Sequence, residues 1–387
     1  MQARLCGRSG VDRGGRSAAF AAIGLPLLCC VACDLVGPWN TCETPFPGSS
    51  PPRNPLLLDD APYFETLAIP TDPQRFPYNH VSTVLSLPDG TLLVAWGAGS
   101  RELGQDTVIL GSRLAPQAKA WTAAEVWADR PSFADANPVL FLAEDGRLRL
   151  LHVEMFGDTF CLGKVVQQTS DNAGLTWSSP VVVLDTTCVM VRNRPIQTRT
   201  GRWILPAYTQ AIYQSQFFLR DHSTESWVAT PPLLTFPNNL QPAVVETTSG
   251  SLLALLRTAG DGGSTWEARS SDGGQSWTLC LRNGLRNPNS GLDLLRLADG
   301  RLVLAYNDSD QNRYPLVVCL SDDDGRNWSR PRVVDPGPGA AAYPSLDQAP
   351  DGRIHLTYSQ DLTFIQHVTM NAAWILATED AASGNGA

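Results

Sequence analysis

The sequence predicts an all-β protein built as a six-bladed β-propeller, and three observations support this prediction. A tight turn followed by an apolar run recurs six times, at intervals of about 50 residues. A second turn, which ends in tryptophan, recurs in step with the first. The 32 glycines and 29 prolines in 387 residues favour many short strands joined by turns over a helical bundle.

The first repeat is a hairpin turn closed by glycine. Its glycines are Gly90, Gly146, Gly201, Gly250, Gly300 and Gly352, at intervals of 56, 55, 49, 50 and 52 residues. In four of the six turns the glycine follows aspartate. Asp-Gly between two β-like runs is a hairpin signal, because glycine accepts the positive φ that a tight turn requires. Each turn is therefore predicted to join two strands.

The second repeat, called the boxed turn here, has the pattern S-x-D-x-G-x-[ST]-W. Residues 270–277 fit it fully, and residues 170–177 and 321–328 fit it nearly. The tryptophans in phase with this repeat are Trp121, Trp177, Trp227, Trp277, Trp328 and Trp374. A short acidic side chain can accept hydrogen bonds from turn amides, and tryptophan can pack between sheets, so we expect a structural role.

Two hairpins in each unit of about 50 residues make a four-stranded sheet, and six such sheets around an axis make a propeller. The propeller is predicted over residues 61–378, followed by a flexible tail at 379–387. Residues 1–33 combine several arginines with a short apolar stretch, which is typical of a secretory signal. Because that stretch ends at Cys33, a lipoprotein signal and a lipid anchor at Cys33 remain an alternative. The proline-rich residues 34–60 are predicted to be a linker.

Charge and cysteine content limit the possible partners. The net charge is −9 and the body has no Lys/Arg-rich run, so nucleic acid, which needs a basic groove, is not expected as a partner. No membrane span is expected after the signal. A secreted, periplasmic or cell-surface location would allow Cys161 to pair with Cys188 and Cys280 with Cys319; free thiols are the alternative.

The repeat also sorts residues by face. Both kinds of turn lie on one rim, so inner strands begin and second strands end on the opposite rim, near the axis. The inner strands begin with His80, Asn137, Arg194, Gln241, Ser290 and Tyr343. The second strands end with Arg101 and Glu102, Glu154, Gln210, Arg257, Asn307 and Asp308, and Tyr358. Four of the first set precede proline, which favours an extended backbone. Several arginines at equivalent places in an acidic protein indicate a site for an anionic ligand.

The boxed turns resemble the Asp boxes of sialidases, and the segments most similar to that family are 80–102, 192–208, 241–258, 287–308 and 341–359. The chain is therefore similar to the bacterial predicted-neuraminidase group with BNR repeats. This resemblance implies a sialidase-like propeller that acts as a retaining exo-glycosidase on a terminal acidic sugar, with sialic acid or a related sugar or glycoconjugate as substrate. A tyrosine nucleophile suits such a substrate, because a carboxylate would be repelled by the sugar's own charge.

The resemblance also implies roles for individual residues. Three arginines would bind the substrate carboxylate: Arg101, Arg257 and Arg313, with Arg194 as a competing member. Tyr343 would be the nucleophile, Glu154 or Glu102 its base, and Asp106 the acid. Gln241, Asn137 and Asn307 are further substrate-binding candidates on the same rim. The enzyme hypothesis requires at least three guanidinium groups in one pocket and a Tyr hydroxyl hydrogen-bonded to a carboxylate.

The sequence departs from the sialidase pattern in the first blade, which has no Arg-Ile-Pro segment, and at Gln210, where glutamate is expected. A non-catalytic propeller that binds a glycan or a protein is therefore a second hypothesis. A polysaccharide lyase, for which His80 is a candidate, is a third. The five histidines are scattered through the sequence, so we expect no metal site and no cofactor.

Overall fold

The computed structural model describes residues 61–377, except 223, 225, 261 and 262. The described residues form strands β1 to β25 and one short helix, α1, arranged as six antiparallel sheets. Each sheet is called a blade, and the blades are numbered in chain order. No helix among these residues is long and apolar enough to cross a membrane. The predicted all-β propeller with six blades is confirmed. The predicted signal, lipid anchor, linker and tail lie outside the described residues.

The strands follow one another from the inside of each blade to its outer edge. The first strand, β1 (Phe64–Ala68), precedes blade 1. Blade 1 contains β2 (Tyr78–Ser86), β3 (Leu92–Gly99), β4 (Val108–Leu114) and β5 (Glu125–Ala128). Blade 2 contains β6 (Ala134–Leu142), β7 (Leu148–Met155), β8 (Gly163–Ser170) and β9 (Val181–Leu184). Blade 3 contains β10 (Val189–Val191), β11 (Ile196–Gln197), β12 (Trp203–Thr209), β13 (Gln214–Arg220) and β14 (Val228–Ala229).

The remaining blades repeat this order. Blade 4 contains β15 (Asn239–Glu246), β16 (Leu252–Thr258), β17 (Gly263–Ser270) and β18 (Leu281–Asn287). Blade 5 contains β19 (Asp293–Arg296), β20 (Leu302–Asn307), β21 (Leu316–Ser321) and β22 (Arg332–Asp335). Blade 6 contains β23 (Ala341–Gln348), β24 (Ile354–Gln360) and β25 (Phe364–Met370), and α1 (Ala372–Leu376) follows it.

The ring is closed by the N-terminal strand. β1 pairs with β25 in antiparallel register, from Phe64 opposite Met370 to Ala68 opposite Gln366, and so becomes the outer strand of blade 6. Trp374, which the repeat places in a sixth boxed turn, lies instead on α1. Its ring stacks on Phe64 with the centroids 4.3 Å apart, so it covers the closing strand. Within the described residues the fourth strand of blade 6 is therefore β1, and Trp374 does not belong to a boxed turn.

The boxed turns have the structural role predicted for them. Asp272 accepts hydrogen bonds from the Ser276 hydroxyl (2.5 Å) and the Ser276 amide (2.9 Å), while Ser270 Oγ accepts from the Gly274 amide (2.9 Å). The hydrogen bonds from Ser276 hold the pKa of the exposed Asp272 carboxylate down at about 2. The carboxylate is thus committed to closing its own turn.

The apolar core lies between neighbouring blades. Six large clusters each join the facing sides of two adjacent sheets; the cluster between blades 2 and 3, for example, contains Leu151 and Val153 of β7 and Leu205 and Ala207 of β12. All four of these side chains are fully buried. Burial of both faces of a sheet explains why the strands read as continuous apolar runs rather than as alternating ones.

Inner strands are irregular where they approach the axis. The register shifts between His80 and Thr83 in β2, and at equivalent places in β6, β15 and β23. Asn137, Gln241 and Tyr343 lie within these shifts and have φ of +52°, +52° and +57°. The extended backbone expected before proline is therefore wrong at these three positions, because each residue is the extra residue of a β-bulge.

The two cysteine pairs differ. Cys161 and Cys188 form a disulfide, which ties the loop after β7 to the start of β10. Cys280 and Cys319 are free, so the pairing considered for them is wrong. Cys319 is buried in the core shared by blades 4 and 5, whereas Cys280 is only partly covered. The disulfide lies next to Phe160, which reaches the cavity described below.

Candidate functional site

A cavity of about 480 Å³ opens where all six blades meet, on the rim predicted from the repeat. Its polar lining includes Tyr78, His80, Glu102, Asn137, Tyr208, Gln210, Gln241, Arg257, Asn289, Arg313 and Tyr343. Apolar walls are supplied by residues such as Leu103, Met155 and Phe160. The size suits a monosaccharide unit, and the mixture of apolar walls with converging polar groups is typical of a ligand site.

Residues in a left-handed backbone conformation build much of the cavity wall. Eight non-glycine lining residues have φ between +51° and +60°, and five of them come from blades 1, 2, 4, 5 and 6: Val81, Asn137, Gln241, Asn289 and Tyr343. Such a conformation is costly for residues other than glycine and tends to cluster at functional sites. A bulge turns the side chain toward the axis, so the same local irregularity is used repeatedly to line one cavity.

Tyr343 lies at the centre of the polar cluster. Its hydroxyl oxygen accepts hydrogen bonds from Arg257 Nη1 at 2.7 Å and from Gln241 Nε2 at 3.4 Å. Burial alone would raise the pKa of the phenol, but the charges of Arg257 and Arg313 outweigh burial and hold the pKa of Tyr343 below its usual value. Two donors aimed at one phenol oxygen stabilise its ionised form.

The two cavity arginines are fixed by neighbouring amides. Arg257 donates from Nε to Asn289 Oδ1 (2.8 Å) and from Nη1 to Gln241 Oε1 (2.7 Å). Arg313 donates to the Asn289 carbonyl (3.3 Å), and its guanidinium carbon lies 5.5 Å from the Tyr343 ring centroid. Asn289 therefore connects both arginines. Both guanidinium groups keep donors directed at the cavity, where an anion can be bound.

The other aromatic groups of the site are neutral. The His80 ring packs edge-on against Tyr343 with the centroids 4.4 Å apart. Burial and the nearby arginines lower the pKa of His80 to about 3, so its imidazole is uncharged at neutral pH. Tyr208 accepts hydrogen bonds from Asn137 (3.2 Å) and Gln241 (3.3 Å), and burial raises its pKa to about 12. Tyr343 is thus the cavity tyrosine whose ionisation is favoured.

A second layer of charge lies behind the cavity. Arg192 is buried, donates to the Leu292 carbonyl (3.2 Å), and places its guanidinium carbon 5.5 Å from the Tyr343 ring centroid. Arg194 forms an ion pair with Asp347 (2.7 Å) and donates to the Val84 carbonyl (3.1 Å). These contacts connect blades across the axis and support the wall that holds Tyr343.

Six of the predicted site residues meet in the cavity: Tyr343, Arg257, Arg313, Gln241, Asn137 and Glu102. Glu102 is the only carboxylate among the described residues that line it. The predicted carboxylate partner of the Tyr343 hydroxyl is not found in the described part of the chain, because the hydroxyl contacts the Gln241 amide and the Arg257 guanidinium instead. Two arginines line the cavity rather than three, with Arg192 behind the tyrosine ring.

The other five predicted residues do not line the cavity. Arg101 is exposed and pairs with Asp158 (2.9 Å), while Asp106 caps its own loop by accepting from the Ser100 amide (3.1 Å) and hydroxyl (2.9 Å). Arg194 is used in the ion pair behind the cavity. Asn307 is buried and donates to the Ala341 carbonyl (2.8 Å).

Glu154 lies in a separate groove, between blades 1 and 2, where it pairs with Arg130. The base role considered for Glu154 therefore lacks support from geometry. Asp135 and His152 line the same groove as Glu154.

Arg192 and Asn289 were missed by sequence reasoning. Arg194, which precedes Pro195, and Ser290 were taken as strand starts, whereas the repeat interval from Asn137 or Gln241 leads to Arg192 and Asn289. The interval is the better guide to these two residues.

Comparisons with known proteins agree with this architecture. A family model described as a BNR repeat-like domain matches residues 90–356. No curated protein matches the sequence.

Several solved structures are similar to the chain. A protein of unknown function from Dyadobacter fermentans has a TM-score of 0.68 at 17% identity, covering 79% of this chain and 98% of its own. The NanB sialidase from Streptococcus pneumoniae has a TM-score of 0.66 at 12% identity, covering 80% and 70%. A leech intramolecular trans-sialidase, complexed with 2,7-anhydro-Neu5Ac, has a TM-score of 0.66 at 14% identity, covering 81% and 71%. At these identities the likeness shows the fold, which is that of sialidase propellers.

Proposed function

Because the chain belongs to the BNR repeat-like domain family, we propose that it is an exo-glycosidase that releases a terminal acidic sugar, sialic acid or a related one, by a retaining mechanism. One observation carries the proposal: Tyr343 is held by Arg257 in the central cavity, and the pKa of its phenol is lowered. Sialidases among the similar structures support the same class of substrate for this chain.

The ligand is expected to be an anion because the cavity carries two guanidinium groups against one carboxylate. Arg257 and Arg313 approach Tyr343 from neighbouring blades, with guanidinium carbons 5.7 Å and 5.5 Å from its ring centroid. A sugar carboxylate bound between them would form charge-assisted hydrogen bonds, which are the strong kind. The carboxylate would thereby place the anomeric carbon near the phenol oxygen.

In the first step the Tyr343 oxygen attacks the anomeric carbon and the glycosidic C–O bond breaks. In this proposal Glu102, which lines the cavity, protonates the departing oxygen. In the second step Glu102 takes a proton from water, and that water releases the sugar from Tyr343 with net retention. Gln241 cannot accept the phenol proton as a carboxylate would, so the arginine charges take over the task of favouring the phenolate.

One observation favours a second candidate, elimination at a uronic acid. A phenolate can also remove a proton from the carbon next to the substrate carboxylate. The neutral imidazole beside it and the arginines that would bind the carboxylate suit this reaction. Tyr343 would then be the base. His80, whose ring centroid lies 4.4 Å from that of Tyr343, would help to bind the sugar. The two reactions give different products, since elimination leaves a double bond conjugated with the carboxylate.

The test is a screen of fluorogenic aryl glycosides of sialic and uronic acids, followed by product analysis on natural oligosaccharides. Wild type is compared with Tyr343→Phe, Arg257→Ala and Glu102→Gln, and with Arg147→Gln as a control. Arg147 is an exposed arginine that pairs with Asp171 (2.9 Å) on the opposite rim. We expect hydrolysis in the wild type and the control, and a loss of at least ~10²-fold in Tyr343→Phe.

The Glu102 variant separates the two steps. Loss of the acid should slow natural glycosides more than aryl glycosides, whose leaving groups need little protonation. An ultraviolet-absorbing product would establish elimination instead. Equal rates in wild type, Tyr343→Phe and Arg257→Ala would refute the assignment. Binding of an acidic sugar without turnover, abolished in Arg257→Ala, would identify a binding protein.

We also propose that the protein is exported, as the N-terminal sequence predicts. The disulfide between Cys161 and Cys188 supports this, because such bonds persist in oxidising compartments. A lipid anchor at Cys33 remains a prediction. Fractionation of cells that express the full chain, with Cys33→Ala as the comparison, distinguishes an anchored protein from a freely secreted one.

A further inference from the structure

Asp135, His152 and Glu154 form a buried cluster in the groove between blades 1 and 2, and none of them lines the central cavity. Glu154 and His152 are two residues apart on β7, so their side chains project from the same face of the sheet. Asp135 on β6 is the direct cross-strand partner of Glu154. Strand geometry thus brings one imidazole and two carboxylates together.

The cluster contains polar atoms that have no hydrogen-bond partner. His152 Nε2 has no hydrogen-bond partner among the described residues, and His152 Nδ1 and Asp135 Oδ1 lie 3.2 Å apart without forming a directed hydrogen bond, although the two side chains are only 1% and 0% exposed. Buried polar groups without a hydrogen-bond partner are destabilising. Nε2 is the clearest case, since no atom of the described residues bonds it. These atoms point to a partner that is not part of the chain.

The spacing suits a metal ion. His152 Nδ1 lies 3.2 Å from Asp135 Oδ1, and the possible ligand atoms of all three residues lie within 4.8 Å of one another. Two atoms that each bind one ion at ~2.0–2.2 Å are separated by roughly 3.0–3.5 Å in tetrahedral or octahedral geometry. Asp135 is already oriented, because its Oδ2 accepts a hydrogen bond from the Arg130 amide at 2.7 Å. Outer contacts of this kind fix the direction of a ligand.

Arg130 controls access to the cluster. Its guanidinium contacts the Glu154 carboxylate, but its side chain is 48% exposed and lies over the Phe133 ring, 4.0 Å from the centroid. A half-exposed arginine can move into solvent when a cation takes its place. The groove outside, lined by Trp127, Ser178 and Pro180 among others, gives a path to the ligands.

We propose that Asp135, His152 and Glu154 bind one divalent transition-metal ion, of the class of Zn²⁺ or Mn²⁺, in exchange for the guanidinium of Arg130. A nitrogen ligand disfavours Ca²⁺ and Mg²⁺, which take oxygen ligands. Three protein ligands leave at least one coordination position for water. The bound ion would connect the two inner strands of blade 2, and it would satisfy Asp135 Oδ1 and one ring nitrogen of His152.

The experiment measures metal binding directly. The full chain is treated with EDTA, dialysed, and titrated with MnCl₂ while free Mn²⁺ is followed by electron paramagnetic resonance. Zn²⁺ binding is measured by competition with a chromophoric chelator, and CaCl₂ is titrated in parallel. We expect one equivalent of Mn²⁺ or Zn²⁺ to bind, and affinity to fall at least ~10–100-fold in Asp135→Asn, His152→Gln and Glu154→Gln.

Two further variants separate a specific site from loss of folding. Arg130→Gln removes the competing cation at a half-exposed position, so we expect it to bind the ion more tightly than wild type. Glu144→Gln is the matched control, since Glu144 is a surface carboxylate of the same blade that pairs with Arg220 (3.3 Å); it should bind as wild type does. Absence of binding to wild type, equal affinity in Glu154→Gln, weaker binding in Arg130→Gln, or a preference for Ca²⁺ would each overturn the proposal.

Discussion

Replacing Arg257 by glutamine is expected to raise the pKa of Tyr343 and to move the acidic limb of the pH–rate profile to higher pH. The physical reason is the short contact between Arg257 Nη1 and the phenol oxygen, 2.7 Å, inside a buried site. Glutamine keeps a donor near the phenol but removes the charge. The substitution therefore tests the charge of Arg257 while a hydrogen-bond donor is retained.

The magnitude follows from that geometry. A guanidinium charge centred ~4 Å from a phenolate contributes about 4 kcal/mol at an effective dielectric constant of ~20. One pKa unit corresponds to ~1.4 kcal/mol, so the full charge effect is about 3 units. Arg313 remains in place and water can enter the vacated space, so we expect an observed rise of about 1–2 units.

The assay is a spectrophotometric titration of phenol ionisation. The titration of Tyr343→Phe is subtracted from that of wild type, which isolates one tyrosine, and the same subtraction is made in the Arg257→Gln background. Tyr208 ionises at a higher pH because its pKa is raised to about 12, and so it does not interfere. Arg147→Gln, on the opposite rim, serves as the control and should leave the titration unchanged.

An unchanged pKa in Arg257→Gln would refute the reasoning, since no other described contact is as close to the phenol oxygen. A lowered pKa would refute it as well. A raised pKa without any shift of the pH–rate profile would retain the electrostatics but remove ionised Tyr343 from the reaction.

Two further predictions concern stability. Breaking the Cys161–Cys188 disulfide with Ser at both positions should lower the free energy of unfolding by about 3–4 kcal/mol, the chain-entropy value for a loop with sequence separation 27, measured by denaturant titration; no change would contradict this. His355 and His367 are buried together, and burial lowers their pKa to about 4 and about 3. The free energy of unfolding should therefore be independent of these two groups above pH ~6.5. It should fall as the pH drops toward 4, by up to ~1.4 kcal/mol per pH unit for each group. A slope that is the same in His367→Gln would count against it.

The sequence was sufficient for the propeller because its signals are local and repeated. Hairpin glycines and boxed turns act within a few residues, so their spacing predicts the number of blades and their order. Arg257 and Tyr343 could be placed near the axis for the same reason. The closing role of β1 could not be predicted, since it depends on pairing with a strand about 300 residues later and leaves no repeat in the sequence.

The details of the site depend on bulges and on contacts between blades, which sequence spacing does not determine. Asn289 connects Arg257 with Arg313 only because its backbone is left-handed. His152 and Asp135 are 17 residues apart in the sequence, yet the pairing of β6 with β7 brings them together. The expectation of no metal site rested on linear spacing alone.

The closure of blade 6 by β1 has a consequence for synthesis. The amide of Tyr63, beside β1, donates a hydrogen bond to Asn371, which follows β25, and the two residues are 308 apart in the sequence. At ~5–20 residues per second the ribosome needs roughly 15–60 s to synthesise the chain between them. During that time β1 is an unpaired strand edge, which invites pairing with other chains. It is only five residues long and carries Glu65 within it, both of which make it a poor template for aggregation. The strand that closes the ring therefore also has features that protect it from aggregation before its partner strand is synthesised.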